Sequence, residues 1–251
     1  MNILEIENLS RSFGGLKAVD NITTHVGEGE LVGLIGPNGA GKTTLFNLIS
    51  GFTPVSGGRV RFKGEDITGQ KPFKIAKHGM SRTFQNLRIF PNMTVFDNVS
   101  VGALGDTGMN FFQSLVGGGM RAERISEQSW KALEMTGLTD VADDLAANLS
   151  YGRRKYLEIA RALAMEPDFL ILDEPAAGLN DTETAELSTF VQKLNADGLP
   201  IMLVEHDMNL VMGICERVVV IASGRKITDD VPSVVRNDPV VLEAYLGGDD
   251  E

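Results

Sequence analysis

Cysteine is almost missing from this chain: Cys215 is the one thiol in 251 residues. No internal disulfide can form, and no Cys or Cys/His spacing offers a zinc site. With Val211 and Ile214 beside it, Cys215 reads as a small buried apolar residue. Long hydrophobic runs are missing too. The longest, such as Val218–Ala222, have the length of a strand, far short of the roughly 20 residues of a membrane-spanning helix. The segment from Met1 to Glu7 has neither the basic start nor the apolar stretch of a secretory signal. Basic residues are in deficit, 23 against 34 acidic, for a net charge of −11. A general binder of nucleic acid needs a basic face, so that class is excluded, while a small, locally positive phosphate site is not. The expectation is a cytoplasmic chain that a partner must bring to any membrane on which it works.

What is present is the composition of an ordinary globular protein, 43% hydrophobic and 23% charged. The length is near the roughly 250–300 residues at which one hydrophobic core stops growing, so one α/β domain with a satellite subdomain is expected. Leu4 and Ile6 alternate with Glu5 and Glu7, and Val60 and Phe62 with Arg59, Arg61 and Lys63. With Gly57-Gly58 and Gly64-Glu65-Asp66 as turns, that period of two predicts a half-solvated antiparallel sheet near the N-terminus. Leu31–Ile35, Phe169–Leu172, Ile201–Val204 and Val218–Ala222 are instead continuously apolar, as in parallel strands buried on both faces. Helical stripes lie between them. Leu187, Phe190, Val191 and Leu194 follow a capping-box start at Asn180 and Glu183, and Leu157, Ala160 and Ala164 follow Ser150 as N-cap. From Asn86 to Leu149 the rhythm breaks, predicting a mostly helical insertion.

The sharpest motif is Gly36-Pro37-Asn38-Gly39-Ala40-Gly41-Lys42-Thr43-Thr44, directly after an apolar strand and before an apolar helix. The glycines let successive backbone N–H groups turn toward phosphate oxygens, and the helix aims its positive end at the same anion. Lys42 supplies a mobile cation for the β- and γ-phosphates, and the Thr43 hydroxyl can ligate Mg²⁺. This is a P-loop. Phe169–Leu172 ends in Asp173-Glu174, at the strand edge where open α/β sheets bind ligands. By itself such a pair is either a solvated strand end or a metal ligand followed by a general base. With the P-loop upstream the second reading prevails: Asp173 for Mg²⁺, and Glu174 to polarise the attacking water. His206 follows the strand Ile201–Val204 at the same edge. It either holds the γ-phosphate or the water, or merely neighbours Asp207, an N-cap. His25 and His78 have no such context.

In order, the P-loop, Leu149-Ser150-Tyr151-Gly152-Arg153, the Asp173-Glu174 strand end and His206 resemble ATP-binding-cassette ATPases over nearly the whole chain. The resemblance implies an α/β fold: a RecA-like P-loop NTPase core with an N-terminal antiparallel β subdomain and an inserted helical subdomain. The core would span about 1–85 and 155–251, and the helical signature subdomain about 86–154. It implies ATP and Mg²⁺ as cofactors. It makes Gln85 the glutamine that joins the two parts, senses the γ-phosphate in catalysis and joins Thr43 and Asp173 as a ligand of the metal, and places Phe13 where an aromatic ring stacks on adenine (the alternative being an apolar residue of the first sheet). Ser150 and Gly152, at a helix N-terminus, become a second anion receptor that covers ATP on another subunit in a head-to-tail dimer.

Two departures stand out. Tyr151 and Arg153 replace a signature glycine and glutamine, and Ala177-Gly178-Leu179-Asn180 stands where the family commonly has Ser-Ala-Leu-Asp. With Ser81–Gln85, Met93-Thr94-Val95, Glu205–Met208 and Asn237-Asp238-Pro239 before Ala244–Gly247, they narrow the resemblance to ATPases of branched-chain amino-acid importers. Within that group the chain is similar to the LivG-type subunit, an insertion with Phe111-Phe112 included. The implied partners are membrane-spanning permease subunits, a second ATPase of the same kind or of the LivF type, and, indirectly, a periplasmic or extracellular solute-binding protein. The implied location is peripheral, on the cytoplasmic face of the inner or plasma membrane. Leu87, Ile89 and Phe90, within Gln85–Pro91, are either the permease-coupling surface or subdomain core. Urea, amide or lipopolysaccharide transporters use similar chains. A chromosome-maintenance ATPase would need long heptads, a ribosome-associated one usually two cassettes, and a P-loop kinase an acceptor site and no signature helix.

Overall fold

The computed structural model describes residues 1–106 and 118–246. The chain opens with the hairpin β1 (Asn2–Phe13) and β2 (Leu16–Gly27), then runs through β3 (Leu31–Ile35) and α1 (Lys42–Ile49). It returns with β4 (Gly57–Phe62) and β5 (Glu65–Asp66), completing a four-stranded antiparallel sheet in the order β2-β1-β4-β5. This is the half-solvated sheet that the alternation of Leu4, Ile6, Val60 and Phe62 predicts, and all four of those residues are buried. Two expected turns are corrected. Gly57 and Gly58 open β4, because the β1–β4 register shifts between Glu7 and Ser10 and a bulge there keeps the glycines in the ladder. Glu65 and Asp66 pair with Phe62 and Arg61 as a short edge strand.

After α2 (Pro72–Lys77) and β6 (Met80–Arg82) comes the helical part: α3 (Val95–Asp106), α4 (Gly118–Thr136), single 3-10 turns at Thr139–Val141 and Ala146–Asn148, and α5 (Tyr151–Leu163). Phe111 and Phe112 lie outside the described residues. The remainder alternates: β7 (Phe169–Asp173), α6 (Asp181–Ala196), β8 (Ile201–Val204), α7 (Met208–Ile214), β9 (Arg217–Ala222), β10 (Arg225–Asp230), α8 (Pro232–Val235) and α9 (Pro239–Leu246). The second sheet has the order β10-β9-β3-β8-β7-β6, parallel throughout except for the antiparallel edge strand β10. The predicted caps are in place. Asn180 and Glu183 form a reciprocal capping box on α6, and Ser150 and Asp207 cap α5 and α7.

Because side chains alternate along a strand, the parallel sheet feeds two cores. Leu170, Leu172, Ile201 and Leu203 face a cluster shared with α3, α4, α5 and α6. Phe169, Ile171, Met202 and Val204 face another, filled from the far side by the antiparallel sheet. Helix α1 lies in that second layer, with Leu45, Phe46, Leu48 and Ile49 at most 1% exposed. Each such side chain contributes about 1.5–3 kcal/mol of burial, so the helix that starts at the P-loop cannot shift without opening a core. Cys215 is buried as predicted, and burial pushes its thiol up to about 12.

Candidate active site

Adjacency in the order β3-β8-β7-β6 brings four C-terminal strand ends side by side. They carry Gly36–Gly41, Glu205-His206, Asp173-Glu174 and Thr83–Gln85, segments separated by up to about 170 positions in the chain. The P-loop turns sharply as it leaves β3. Gly36 has φ 155°, and a Cβ there would stand 2.0 Å from the Ile221 carbonyl oxygen, so only glycine fits. Helix α1 begins with no side-chain cap on its N-terminus, which leaves its first N–H groups directed at the site. Lys42 is 6% exposed, and its Nζ donates to the carbonyls of Gly36 (2.5 Å) and Pro37 (3.1 Å). Burial holds its pKa below the ordinary lysine value, against the pull of Glu174 and Asp173.

Asn38, Gly39, Ala40, Gly41, Lys42, Thr43 and Thr44 line one wall of a cleft of about 520 Å³, and Gln85, Glu174 and His206 line another. Glu174 is the hub of that second wall. Its Oε1 lies 2.6 Å from His206 Nε2, and its Oε2 accepts from Gln85 Nε2 at 2.7 Å. Its backbone adopts the left-handed region, φ 49°, and its N–H donates to the Val204 carbonyl. Such a conformation is costly for a non-glycine residue and is held only where neighbours over-determine it. Sequence reasoning missed those neighbours. Glu205, 3% exposed, accepts the N–H groups of Ala176 (2.7 Å) and His206 (3.2 Å), and burial pushes its carboxyl above the usual range. Lys155 of α5, 2% exposed, donates to the Glu174 carbonyl at 3.2 Å, and burial lowers its pKa. Glu205 falls within a motif of the resemblance but no role is read from it, and Lys155 falls in none, because both act on backbone groups that meet only in the fold.

Other predicted residues lie elsewhere. Asp173, 4% exposed, is held by Arg82 Nη2 at 2.7 Å. Phe13 does not line the cleft. It is 48% exposed with the Arg11 guanidinium 4.5 Å from its ring, and Leu16, Lys17 and Ala18 of β2 form the rim instead. Ser150 is exposed at the start of α5 and, like Gly152, does not line the cleft of its own chain. The two departures noted in the sequence meet in space. The Tyr151 hydroxyl donates to the Ala177 carbonyl at 3.2 Å, and a Cβ at Gly178 would stand 2.9 Å from the Tyr151 ring.

A family model described as ABC transporter matches residues 19–177, and a second, described as branched-chain amino acid ATP-binding cassette transporter, matches 225–251. The chain belongs to the ABC transporter family. The cassette is 43% identical over 249 residues to the high-affinity branched-chain amino acid transport ATP-binding protein BraF of Pseudomonas aeruginosa, covering 98% of each chain. It is 41% identical to the LivG protein of the same description from Escherichia coli K12, again over 98% of each. Among solved structures, an ATP-binding cassette in its ADP conformation superposes with a TM-score of 0.87 at 34% identity, covering 98% of this chain and 99% of that one. The α/β cassette fold and the ATPase class expected from the sequence are thereby established. No helix of the cassette is long and apolar enough to cross a membrane, among the described residues.

Proposed function

We propose that the cassette binds Mg·ATP in the P-loop cleft and hydrolyses it to drive import of branched-chain amino acids. One observation carries the chemistry: a carboxylate at the rim of a phosphate cradle, bonded through both oxygens to Gln85 and His206. The P-loop amides and Lys42 grip the polyphosphate, which releases Lys42 from the loop carbonyls that it now satisfies. Glu174 accepts a hydrogen bond from water and directs a lone pair at the γ-phosphorus, while His206 and Gln85 hold the carboxylate in place. Thr43 and Asp173 are the residues to hold Mg²⁺, which when bound would neutralise charge on the phosphate oxygens, whereas Gln85, the third ligand expected from the resemblance, is engaged by Glu174. A hydroxyl, one carboxylate, phosphate oxygens and water suit this hard cation, which rarely uses an all-protein cage.

The absence of Ser150 and Gly152 from their own cleft supports a head-to-tail pairing with a second cassette, a copy or a LivF-type relative, whose ATP they cover. A groove of about 240 Å³ beside β6, with Phe52 50% and Phe73 58% exposed and Phe84 between, supports docking of membrane-spanning subunits on the cytoplasmic face. Phe90, 43% exposed, lies under the Arg161 guanidinium rather than in that groove, and Ile89 packs on the core. The cargo rests on the similarity to branched-chain amino acid transport ATP-binding proteins and on the C-terminal family match. The solute-binding protein would be reached only through the permease.

The test uses purified cassette with Mg·ATP. Glu174→Gln is expected to keep ATP affinity while hydrolysis falls about 10²–10⁴-fold, accumulating an ATP-bound dimer in light scattering. Adding Ser150→Arg is expected to abolish the dimer and leave ATP binding intact. Hydrolysis of Glu174→Gln at the parental rate, or undiminished association of the double variant, would refute the assignment.

A further inference from the structure

Arg82 has no part in the chemistry outlined above, yet it is among the most constrained polar side chains of the cassette. It ends β6, three residues before Gln85, and its side chain is 6% exposed. Nη2 donates to Asp173 Oδ2 at 2.7 Å, and Nη1 donates to Asn47 Oδ1 at 2.8 Å and Ser50 Oγ at 2.9 Å. The rings of Phe84, Phe46 and Phe52 surround the guanidinium carbon at 5.2, 5.7 and 5.9 Å. Nε is buried with no acceptor among the described residues, an arrangement that costs stability. A lysine could not reproduce this grip, since only the guanidinium fork reaches two elements at once.

The two elements are telling. Asn47 lies one turn after Thr43 on α1, on the same face, and Asp173 ends β7. Thr43 and Asp173 are the pair assigned to Mg²⁺, so Arg82 clamps the helix of one ligand to the strand of the other. We propose that Arg82 is a positioning residue that fixes the separation of Thr43 and Asp173 and thereby sets the affinity of the nucleotide complex for Mg²⁺. The inference rests on the metal assignment above. Mg²⁺ demands near-ideal octahedral geometry, so a small slip between α1 and β7 is enough to weaken it. Electrostatics acts in the other direction: a buried cation beside the carboxylate repels the metal. The two effects predict opposite shifts when the clamp is loosened.

The experiment is calorimetric ATP binding to the full chain across a Mg²⁺ titration, with excess EDTA as the metal-free limb, on protein shown by circular dichroism to be folded. Arg82→Lys keeps the charge but loses the fork. Asn47→Leu keeps the ion pair but releases α1, and Asn47→Asp retains an acceptor for Nη1. Arg82→Lys and Asn47→Leu are expected to raise the half-saturating Mg²⁺ concentration about 10–100-fold, the usual effect of removing a partner of a metal ligand. Metal-free ATP affinity is expected to stay at the parental value, and Asn47→Asp to restore the Mg²⁺ response. An unchanged or lowered Mg²⁺ requirement in folded Arg82→Lys or Asn47→Leu overturns the proposal. Should Arg82→Lys fail to fold, Asn47→Leu decides alone. If the parental chain itself binds ATP without regard to Mg²⁺, the metal assignment falls, and this inference falls with it.

Discussion

Tyr151 and Gly178 show how a departure from a family pattern becomes intelligible only as a pair. In the sequence they are 27 positions apart, each an isolated oddity. In the fold the tyrosine ring occupies the space that a Cβ at 178 would need, and Gly178 has φ 81°. Gly178→Ala is expected to cost about 1–2 kcal/mol from the left-handed backbone alone, plus a steric part owed to the ring. Tyr151→Gly should relieve only the second part, so a double-mutant cycle by chemical denaturation is expected to show a coupling of about 0.5 kcal/mol or more. A coupling of zero would mean that the two positions are independent. At this scale the sequence identified Lys42, Glu174 and His206 by type and position, but not Glu205 or Lys155, whose roles depend on backbone groups that meet only in three dimensions.

Among the elements, β3, β7, β8 and β9 were readable because each is an uninterrupted apolar run, and α5 and α6 because their caps and stripes agree. The missed strands are β2, half of the N-terminal hairpin, β5 and β6, two and three residues long, and β10, whose sequence Arg-Lys-Ile-Thr-Asp-Asp carries no apolar alternation. Strand β10 exists because its side chains bind charges, not because they are buried. Arg217 of β9 donates to Asp229 of β10 at 2.5 Å, to both oxygens of Glu30, and to the His25 carbonyl of β2, joining the two sheets. Burial pushes the Glu30 and Asp229 carboxyls up, but hydrogen bonds from Arg217, Gly27 and Lys226 outweigh it and hold both below their usual values. The unfolded chain therefore binds more protons than the native one as pH falls, and the stabilisation, complete above the ordinary carboxylate range, is lost through the depressed values. Arg217→Met is expected to lower unfolding free energy by about 3 kcal/mol at neutral pH. In thermal melts taken at decreasing pH, the gap to the parent should close in the acid limb. A gap independent of pH would assign the loss to packing.

For the whole molecule, the apolar groove and the nucleotide cleft are linked by a short path. Phe52 and Phe84 line the groove and also stack on Arg82, which holds Asp173. A partner seated in the groove would thus lie two side chains from Asp173. Phe73 is exposed there and forms no ring or cation contact with that path among the described residues, so its substitution tests docking apart from catalysis. Phe73→Asp is expected to leave ATP binding and hydrolysis of the isolated cassette unchanged. It should also prevent co-purification with the co-expressed membrane subunits. Retention of the complex would place the docking surface elsewhere.

The sequence by itself determined the P-loop, the strand-end carboxylates, the α/β class and the family, because each is written in contiguous residues whose backbone needs and side-chain chemistry are local. The tertiary structure decided which of those residues share one cleft. It drew Gln85, Glu174 and His206 into a single hydrogen-bonded group, left Phe13 and Ser150 outside it, and stationed Arg82 between α1 and β7. Those outcomes follow from the order of strands in the parallel sheet and from burial behind the loops, long-range properties that no local pattern encodes.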